Sequence, residues 1–509
     1  QQKPYEQSEI FFEEDGGKIV SSGPVASVDT FDLRLPQANK EIYIGISVPR
    51  DILLAPYVEK ILLSIYAALV VVFLAMPVVY FITSLLIKPI KLLMHENELV
   101  EKRQYDKVSV IDTHIAELHA LSQSLVDMSQ SVKTYARQQE ELFEGFIKLI
   151  SRAIDQKSSY TGGHCNRVPE IALMLAQAAS DSDDFEFTLH SDDEIREFKI
   201  AAWLHDCGKV VTPEYVVDKA TKLETINNRI HEIRTRFEVL WRDIEIQEIT
   251  GKISHADAEL GKKALQDDFG FVAECNIGGE FLDEDKINRL KQIAERTWVR
   301  NFDNTLGLSD VEKSRYVEKE LPVVEKLLAD RPEHIIERKY FDYEGYKQQG
   351  FKLDVPSNEY NYGELYNLGI EKGTLTPEER FVINHHIIAT IQMLEQLPLP
   401  KYLERVPRYA GNHHETLIGT GYPRKLGLKD LSIPDRIIAI ADIFEALTAS
   451  DRPYKKAKTV SEAMKIMGLM VKDKHIDAGL YELFIDSGMH LEYARKFLNP
   501  AQIDIGESV

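Results

Sequence analysis

His164, the adjacent pair His205-Asp206, His386, the adjacent pair His413-His414 and Asp442 lie scattered between positions 164 and 442. Neutral imidazoles mixed with carboxylates suit first-row transition metals, and this set exceeds what one ion needs. Two ions can share it, with Asp206 as the bridge because a carboxylate offers two oxygens. A two-metal centre clamps the attacking and leaving oxygens of a phosphoryl displacement, so the expected chemistry is phosphodiester hydrolysis. Asp206 and Lys209 are the candidate catalytic residues. Lys209 closes the run His205-Asp206-Cys207-Gly208-Lys209, where an ammonium would hold a phosphate oxygen or fix the leaving group; the competing role is an ion pair with Asp206. Gly419, Gly421 and Pro423 mark a tight loop, glycine supplying unusual dihedrals and proline rigidity. Tyr422 within it would face a substrate or pin the loop.

Helices must position these groups. Phe143, Phe146, Ile147, Ile150 and Ile154 recur as one apolar stripe. His164 shares a helical face with Val168, Ile171 and Leu175, and His205 with Ile195, Phe198 and Ala202. His386 stands at helical spacing from Ile383 and Thr390, and Asp442 one turn after Ile438. Ligands at the edges of core-facing stripes on several helices are how helical bundles build metal sites. The fold class expected is therefore mainly α.

The same residues resemble the HD-GYP family, named for its His-Asp pair and its Gly-Tyr-Pro run. In order come Tyr160-Thr161-Gly162-Gly163-His164, His205-Asp206-Cys207-Gly208-Lys209, Leu375-Thr376-Pro377-Glu378-Glu379 with His386, His413-His414-Glu415, Gly419-Thr420-Gly421-Tyr422-Pro423, Ala441-Asp442 and Arg452-Pro453-Tyr454. The resemblance covers roughly residues 141 to 470. It implies a helical HD-type phosphohydrolase domain that hydrolyses the bacterial messenger cyclic di-GMP, either to the linear dinucleotide or onward to GMP, with water activated by two divalent transition metals. Iron and manganese fit best, and zinc also suits the donors. His164, His205 and Asp442 would serve one ion, His386, His413 and His414 the other, and Asp206 both. Lys209, Tyr422, Arg452 and Lys455 would contact substrate. The family spacing selects His386 over His231 and His255. Three departures stand out: Tyr160 where members with a third metal carry glutamate, Ile418 where aspartate is common, and one extra residue near Ala449 ahead of Arg452.

A chain of 509 residues is too long for one core. The formal charge of −21 argues against a DNA or RNA polymer as partner, which would call for a basic face. Cys165, Cys207 and Cys275 make no disulfide framework and read as buried fillers in a reducing compartment. Residues Ile61 to Ile87 are almost wholly apolar, and at ~1.5 Å per residue that run exceeds a hydrocarbon core of ~30 Å. Pro77 would kink it. The expected order is residues 1–58 as the C-terminal part of an extracytoplasmic Cache- or PAS-like α/β sensor, with strand-like runs at Lys18–Val20 and Ile42–Val48. A transmembrane helix over 59–87 follows, then a HAMP-like relay over 88–140 with a helix starting at Pro89, then the catalytic domain over 141–500 with a helical insertion at 223–372. Because the chain opens without methionine in a polar stretch, it reads as part of a longer sensor.

Ile115, Leu118, Leu121, Leu125, Met128 and Val132 form a coiled-coil-like seam, so a homodimer is expected. Flanking lysines are too balanced to orient the span. Nucleotide hydrolysis belongs in the cytosol, which puts the chain in the bacterial inner membrane with the sensor outside, facing an unidentified signal. Two rival functions are an HD-type hydrolase of another cyclic nucleotide and a noncatalytic messenger-binding module. Intact ligands weigh against the second.

Overall fold

A computed structural model describes residues 28–33, 44–157, 163–279, 281–449 and 457–505. The chain divides into two compact units, Gln1–Gln139 and Glu140–Val509. Tyr160, Arg452, Lys455 and the Lys18–Val20 run lie outside the described residues.

In the first unit β1 (Val28–Leu33) pairs antiparallel with β2 (Ile44–Pro49), Val28 opposite Pro49 and Leu33 opposite Ile44. The next element, α1, runs unbroken from Arg50 to Glu101. Among the described residues it is the one helix long and apolar enough to cross a membrane. Its apolar side chains, Leu63, Phe73 and Tyr80 among them, are exposed, as a lipid-facing surface requires. A new helix does not begin at Pro89: that residue lies inside α1. A proline forfeits one helical hydrogen bond, and an apolar segment tolerates it.

After α1 a connector carries Val108 and Ile111 inward, and both are buried, as is Leu93 of α1. The Ser109 amide donates to Glu96 Oε2 at 2.8 Å, and the Ile111 amide to Ser122 Oγ at 2.8 Å. These bonds tie the connector to both α1 and the start of α2 (Ala116–Lys157). Ser122 and Ser129 are buried, whereas Leu121, Met128 and Val132 of the seam are exposed. Ile115, Leu118 and Leu125 of the seam are half-buried, so packing within the chain covers part of the seam and leaves the rest open.

In the second unit the end of α2 contributes Ile147 and Ile154 to the main core, but Phe146 and Ile150 are exposed. The single stripe read from the sequence is therefore split between two faces. The core is completed by α3 (His164–Asp181), α4 (Asp192–Leu204), and six later helices introduced below. A short turn, α5 (Glu214–Val217), follows the His205-Asp206 loop.

The insertion opens with three helices, α6 (Ile230–Ile249), α7 (His255–Ile277) and α8 (Glu284–Ala294). Its later part is not helical throughout, contrary to expectation. β3 (Thr297–Arg300) pairs with β4 (Val323–Lys326), and β5 (Ile335–Glu337) with β6 (Asn358–Asn361). Short runs rich in β-branched and aromatic residues favour strand over helix here. Three short helices accompany them: α9 (Asp310–Lys313), α10 (Tyr343–Gln348) and α11 (Glu364–Leu368). The insertion has its own core, including Leu223, Ile233, Phe237, Val272, Leu290 and Leu327. Its two ends are clamped together by Lys222, a buried side chain whose ammonium donates to the carbonyls of Leu368 at 2.9 Å and Ile370 at 2.7 Å.

The chain then returns to the main core through α12 (Pro377–Glu395), α13 (Val406–Gly411), α14 (Ile433–Thr448), α15 (Val460–Lys472), α16 (Ala478–Asp486) and α17 (Met489–Phe497). Thr376 caps α12 in a capping box with Glu379, and Pro377 opens its first turn. Glu379 also meets Lys219 at 2.7 Å, both side chains buried, which fixes α12 against the segment that follows α5.

Candidate metal centre

Five separate elements bring the seven expected ligands together. His164 opens α3, just after Gly163 in a left-handed conformation. His205 ends α4, and Asp206 begins the loop beyond it. His386 lies in the middle of α12, His413 and His414 follow α13, and Asp442 sits within α14. Ligand atoms of His164, His205 and Asp442 lie within 4.8 Å of one another, as do those of His386, His413 and His414. His205, Asp206 and His413 form a third such group that joins the two. Asp206 faces both sides. Its Oδ2 lies 3.2 Å from His164 Nε2 and 3.3 Å from His205 Nε2, and its Oδ1 lies 3.2 Å from His386 Nε2.

The rings are aimed from behind. Nδ1 of His205 reaches the Ala202 carbonyl at 2.8 Å, and Nδ1 of His413 the Ala410 carbonyl at 2.7 Å. Nδ1 of His386 contacts the Ile383 carbonyl in the same way. Each carbonyl is three residues back, so a donated Nδ1–H leaves Nε2 as a lone-pair donor toward the cluster. His164 instead turns Nδ1 to the carboxylate of Glu445, and Arg167 holds the other oxygen of Glu445 at 2.6 Å. Asp206 Oδ1, His386 Nε2 and His413 Nε2 are buried and have no hydrogen-bond partner. Buried polar atoms are almost always satisfied. Three such atoms converging from separate elements fit a site for divalent ions bound through nitrogen and oxygen.

Electrostatics separate the two groups. Burial pulls the His164 imidazole down, but Glu445, Asp206 and Asp442 outweigh it and hold the ring well above its ordinary value. For His205 burial is likewise outweighed, chiefly by Asp206, and the ring is raised to about 9. Burial alone would raise Asp206, yet Lys209 and His205 hold it well below the carboxylate range; His164 and His205 do the same for Asp442. In the other group burial and neighbouring imidazoles push His413 down to about 3 and His414 well below its usual value.

The surrounding loops are tightly specified. A Cβ on Gly208 would lie 1.9 Å from the His386 carbonyl oxygen, so only glycine lets the His205-Asp206 loop approach α12. Thr390 Oγ1 accepts from the Gly208 amide at 2.9 Å and donates to the His205 carbonyl at 3.2 Å. Lys209 is half-buried and its ammonium contacts Asp206. Three N–H groups leave it donors for another oxygen. At Gly421 a Cβ would meet Glu415 Cα and the His414 carbonyl oxygen at 2.5 Å. Glu415 accepts from the amides of Arg424 at 2.6 Å and Leu426 at 2.8 Å, which folds the loop back on itself. The Tyr422 ring stacks on His414, with centroids 4.8 Å apart. Burial pushes its phenol up, so it stays a neutral hydroxyl.

His231 and His255 are both exposed and paired with Arg234 and Glu248, apart from the ligand cluster. Cys165 and Cys207 are buried free thiols, and burial pushes Cys207 up to about 12. Neither belongs to a ligand group among the described residues. Sequence reasoning missed Glu445 and Asp155. Glu445 lies three residues after Asp442 on α14, a spacing that puts both on one helical face. Asp155, at the end of α2, accepts the amides of Gly163 at 3.1 Å and Cys165 at 3.2 Å, and so caps the helix that His164 begins.

Residues 322–480 match the family model described as HD domain. The chain thus carries an HD domain within a mainly helical fold. The match contains His386, His413, His414, Tyr422 and Asp442, while His164, His205 and Asp206 precede it. A stretch of 151 residues is 44% identical to the 3'3'-cGAMP-specific phosphodiesterase 1 of Vibrio cholerae serotype O1, covering 27% of this chain and 33% of the relative. A stretch of 96 residues is 36% identical to a cyclic di-GMP phosphodiesterase of Thermotoga maritima, covering 19% of this chain and 26% of the relative. One of 74 residues is 38% identical to a cyclic di-GMP phosphodiesterase of Pseudomonas aeruginosa, covering 14% and 17%. The aligned stretches therefore span a third or less of these relatives' lengths. They agree with the HD-GYP resemblance carried by the ordered motifs.

Proposed function

We propose that this chain is a metal-dependent cyclic dinucleotide phosphodiesterase of an inner-membrane signalling protein, acting on cyclic di-GMP in the cytosol. The observation that carries the reading is Asp206, whose two oxygens face two separate groups of buried ligands, together with the unpartnered nitrogens of His386 and His413. His164, His205 and Asp442 would hold one divalent ion, His386, His413 and His414 the second, and Asp206 would bridge them. Such ions supply Lewis acidity toward the phosphate and bring the pKa of a bound water toward neutrality. Iron and manganese suit this imidazole-rich, thiolate-free set best. Lys209, anchored on Asp206, would donate to a nonbridging phosphate oxygen. Tyr422, stacked on His414, would hold the loop that borders the substrate. Arg452 and Lys455 are proposed for phosphate or guanine contact by resemblance alone. The exposed part of the seam on α2 favours a homodimer joined through a HAMP-like relay, and the apolar span of α1 favours membrane anchoring.

The 44% identical relative supports a second reading, with 3'3'-cGAMP as substrate. Both follow from one experiment. Chain purified without oxygen is analysed for bound metal and assayed on cyclic di-GMP and 3'3'-cGAMP side by side, with His205→Ala and Asp206→Ala as controls. Two ions per chain and hydrolysis of cyclic di-GMP, lost in both variants, are expected. Faster cleavage of 3'3'-cGAMP would transfer the assignment to the second substrate. Hydrolysis of neither, with metal bound, would refute the enzymatic reading.

A further inference from the structure

We infer that residues 341–355 of the insertion are a positioning element for the His386, His413 and His414 group, an inference that rests on the two-ion reading above. The segment contributes no ligand, yet it touches the supports of two. Phe351 is 3% exposed and packs in a cluster with Ile387, Ile388 and Ile391 of α12, against which Tyr422 also lies. Ile387 directly follows His386, and Tyr422 stacks on His414. Phe351 thus shares one apolar cluster with the chain neighbour of His386 and with the ring that stacks on His414, two candidate ligands from different elements.

Polar bonds fix the same contact. The Lys352 amide donates to the Pro423 carbonyl at 2.7 Å, and Arg424 Nε donates to the Gln349 carbonyl at 3.3 Å. The Arg424 guanidinium lies over the Phe351 ring, 5.3 Å from its centroid. Gln392 of α12 donates to Gln349 Oε1 at 3.0 Å. Within the segment, the Tyr346 hydroxyl donates to the Leu353 carbonyl at 2.7 Å, which holds α10 against the strand-like stretch behind it. The Tyr422 loop is therefore held from inside by Glu415 and from outside by the insertion. No equivalent contact from residues 341–355 reaches His164 or Asp442 among the described residues. Removing the outer support should loosen one ligand group and spare the other.

The test uses the full chain in detergent micelles, with Mn²⁺ as the probe, measured by equilibrium dialysis. Groups behind metal ligands typically govern affinity by about 10–100-fold. Phe351→Ala should weaken the second Mn²⁺ by that range and leave the first unchanged, and Phe351→Leu should restore most of the loss. In metal-free protein, amide exchange at Tyr422, Arg424 and Leu426 should accelerate in Phe351→Ala, while exchange in α3 and α14 stays as in the parent chain. Arg424→Ala provides the same readouts should Phe351→Ala fail to fold. Unchanged Mn²⁺ affinities together with unchanged loop exchange would overturn the inference. A parent chain that takes up fewer than two Mn²⁺ would instead bring down the two-ion reading and this inference with it.

Discussion

The two halves of the ligand cluster are built from different chemistry. One half pairs His164 and His205 with carboxylates, and in the metal-free pocket those carboxylates keep both rings protonated near neutral pH. The other half is all imidazole, and burial keeps His413 and His414 in the neutral form. Asp206 contacts both, Oδ2 facing His164 and His205 and Oδ1 facing His386. The contrast teaches that equal numbers of ligands need not mean equal sites. A metal entering the first half would displace a proton, whereas one entering the second would not, though that half carries no compensating charge of its own.

The most damaging way to test this contrast is to abolish it. Asp206→Ala removes the shared carboxylate and the partner of Lys209. Loss of both ions and a fall in turnover of about 10³-fold or more are expected, since metal assistance contributes several kcal/mol; metal analysis and single-turnover hydrolysis check it. Next, His413→Ala should break only the imidazole half, leaving one ion per chain where two are expected in the parent. Equal loss of both ions would show that the halves are not separable.

Glu445→Gln sharpens the comparison from the other side. It removes the charge behind His164 and the partner of Arg167, while the imidazole half is untouched. Affinity for one ion should drop by about 10–100-fold, and the second should hold. The smallest effect is the pH dependence. Because His205 is raised to about 9, a metal entering its half below that pH displaces a proton, and affinity there should rise as pH climbs from 6 toward 9. His413, lowered to about 3, is already neutral throughout that window, so the imidazole half should bind with little proton release. Calorimetry of Mn²⁺ binding in two buffers of different ionisation heat separates the two phases. Equal proton release in both would contradict the contrast.

The ligands were legible because each sits in a short local pattern: a His-Asp pair before Gly208, a His-His pair ahead of Gly421, an aspartate one turn past Ile438. Those patterns carry their own backbone requirements, as the space at Gly208 and Gly421 shows. What stayed hidden depends on contacts between distant segments. Glu445 looks like an ordinary helical carboxylate until α14 meets α3. Phe351 looks like one apolar residue in a charged insertion until it is found in one cluster with Ile387 and Tyr422. The continuity of α1 through Pro89 and the strands β3 to β6 were missed for a related reason: local propensity is weak where neighbours decide the outcome. The apolar span of α1 was read directly from the sequence because its length alone makes it exceptional.

Three of the histidines tether their rear nitrogen to a carbonyl only three residues upstream in the same stretch of chain. Such a tether needs no distant partner. Ring direction at these positions is therefore set within each short segment and calls on no contact from another. Assembly of the centre then amounts to bringing ready-oriented donors into register, and an arriving cation meets a cage whose bars already point inward.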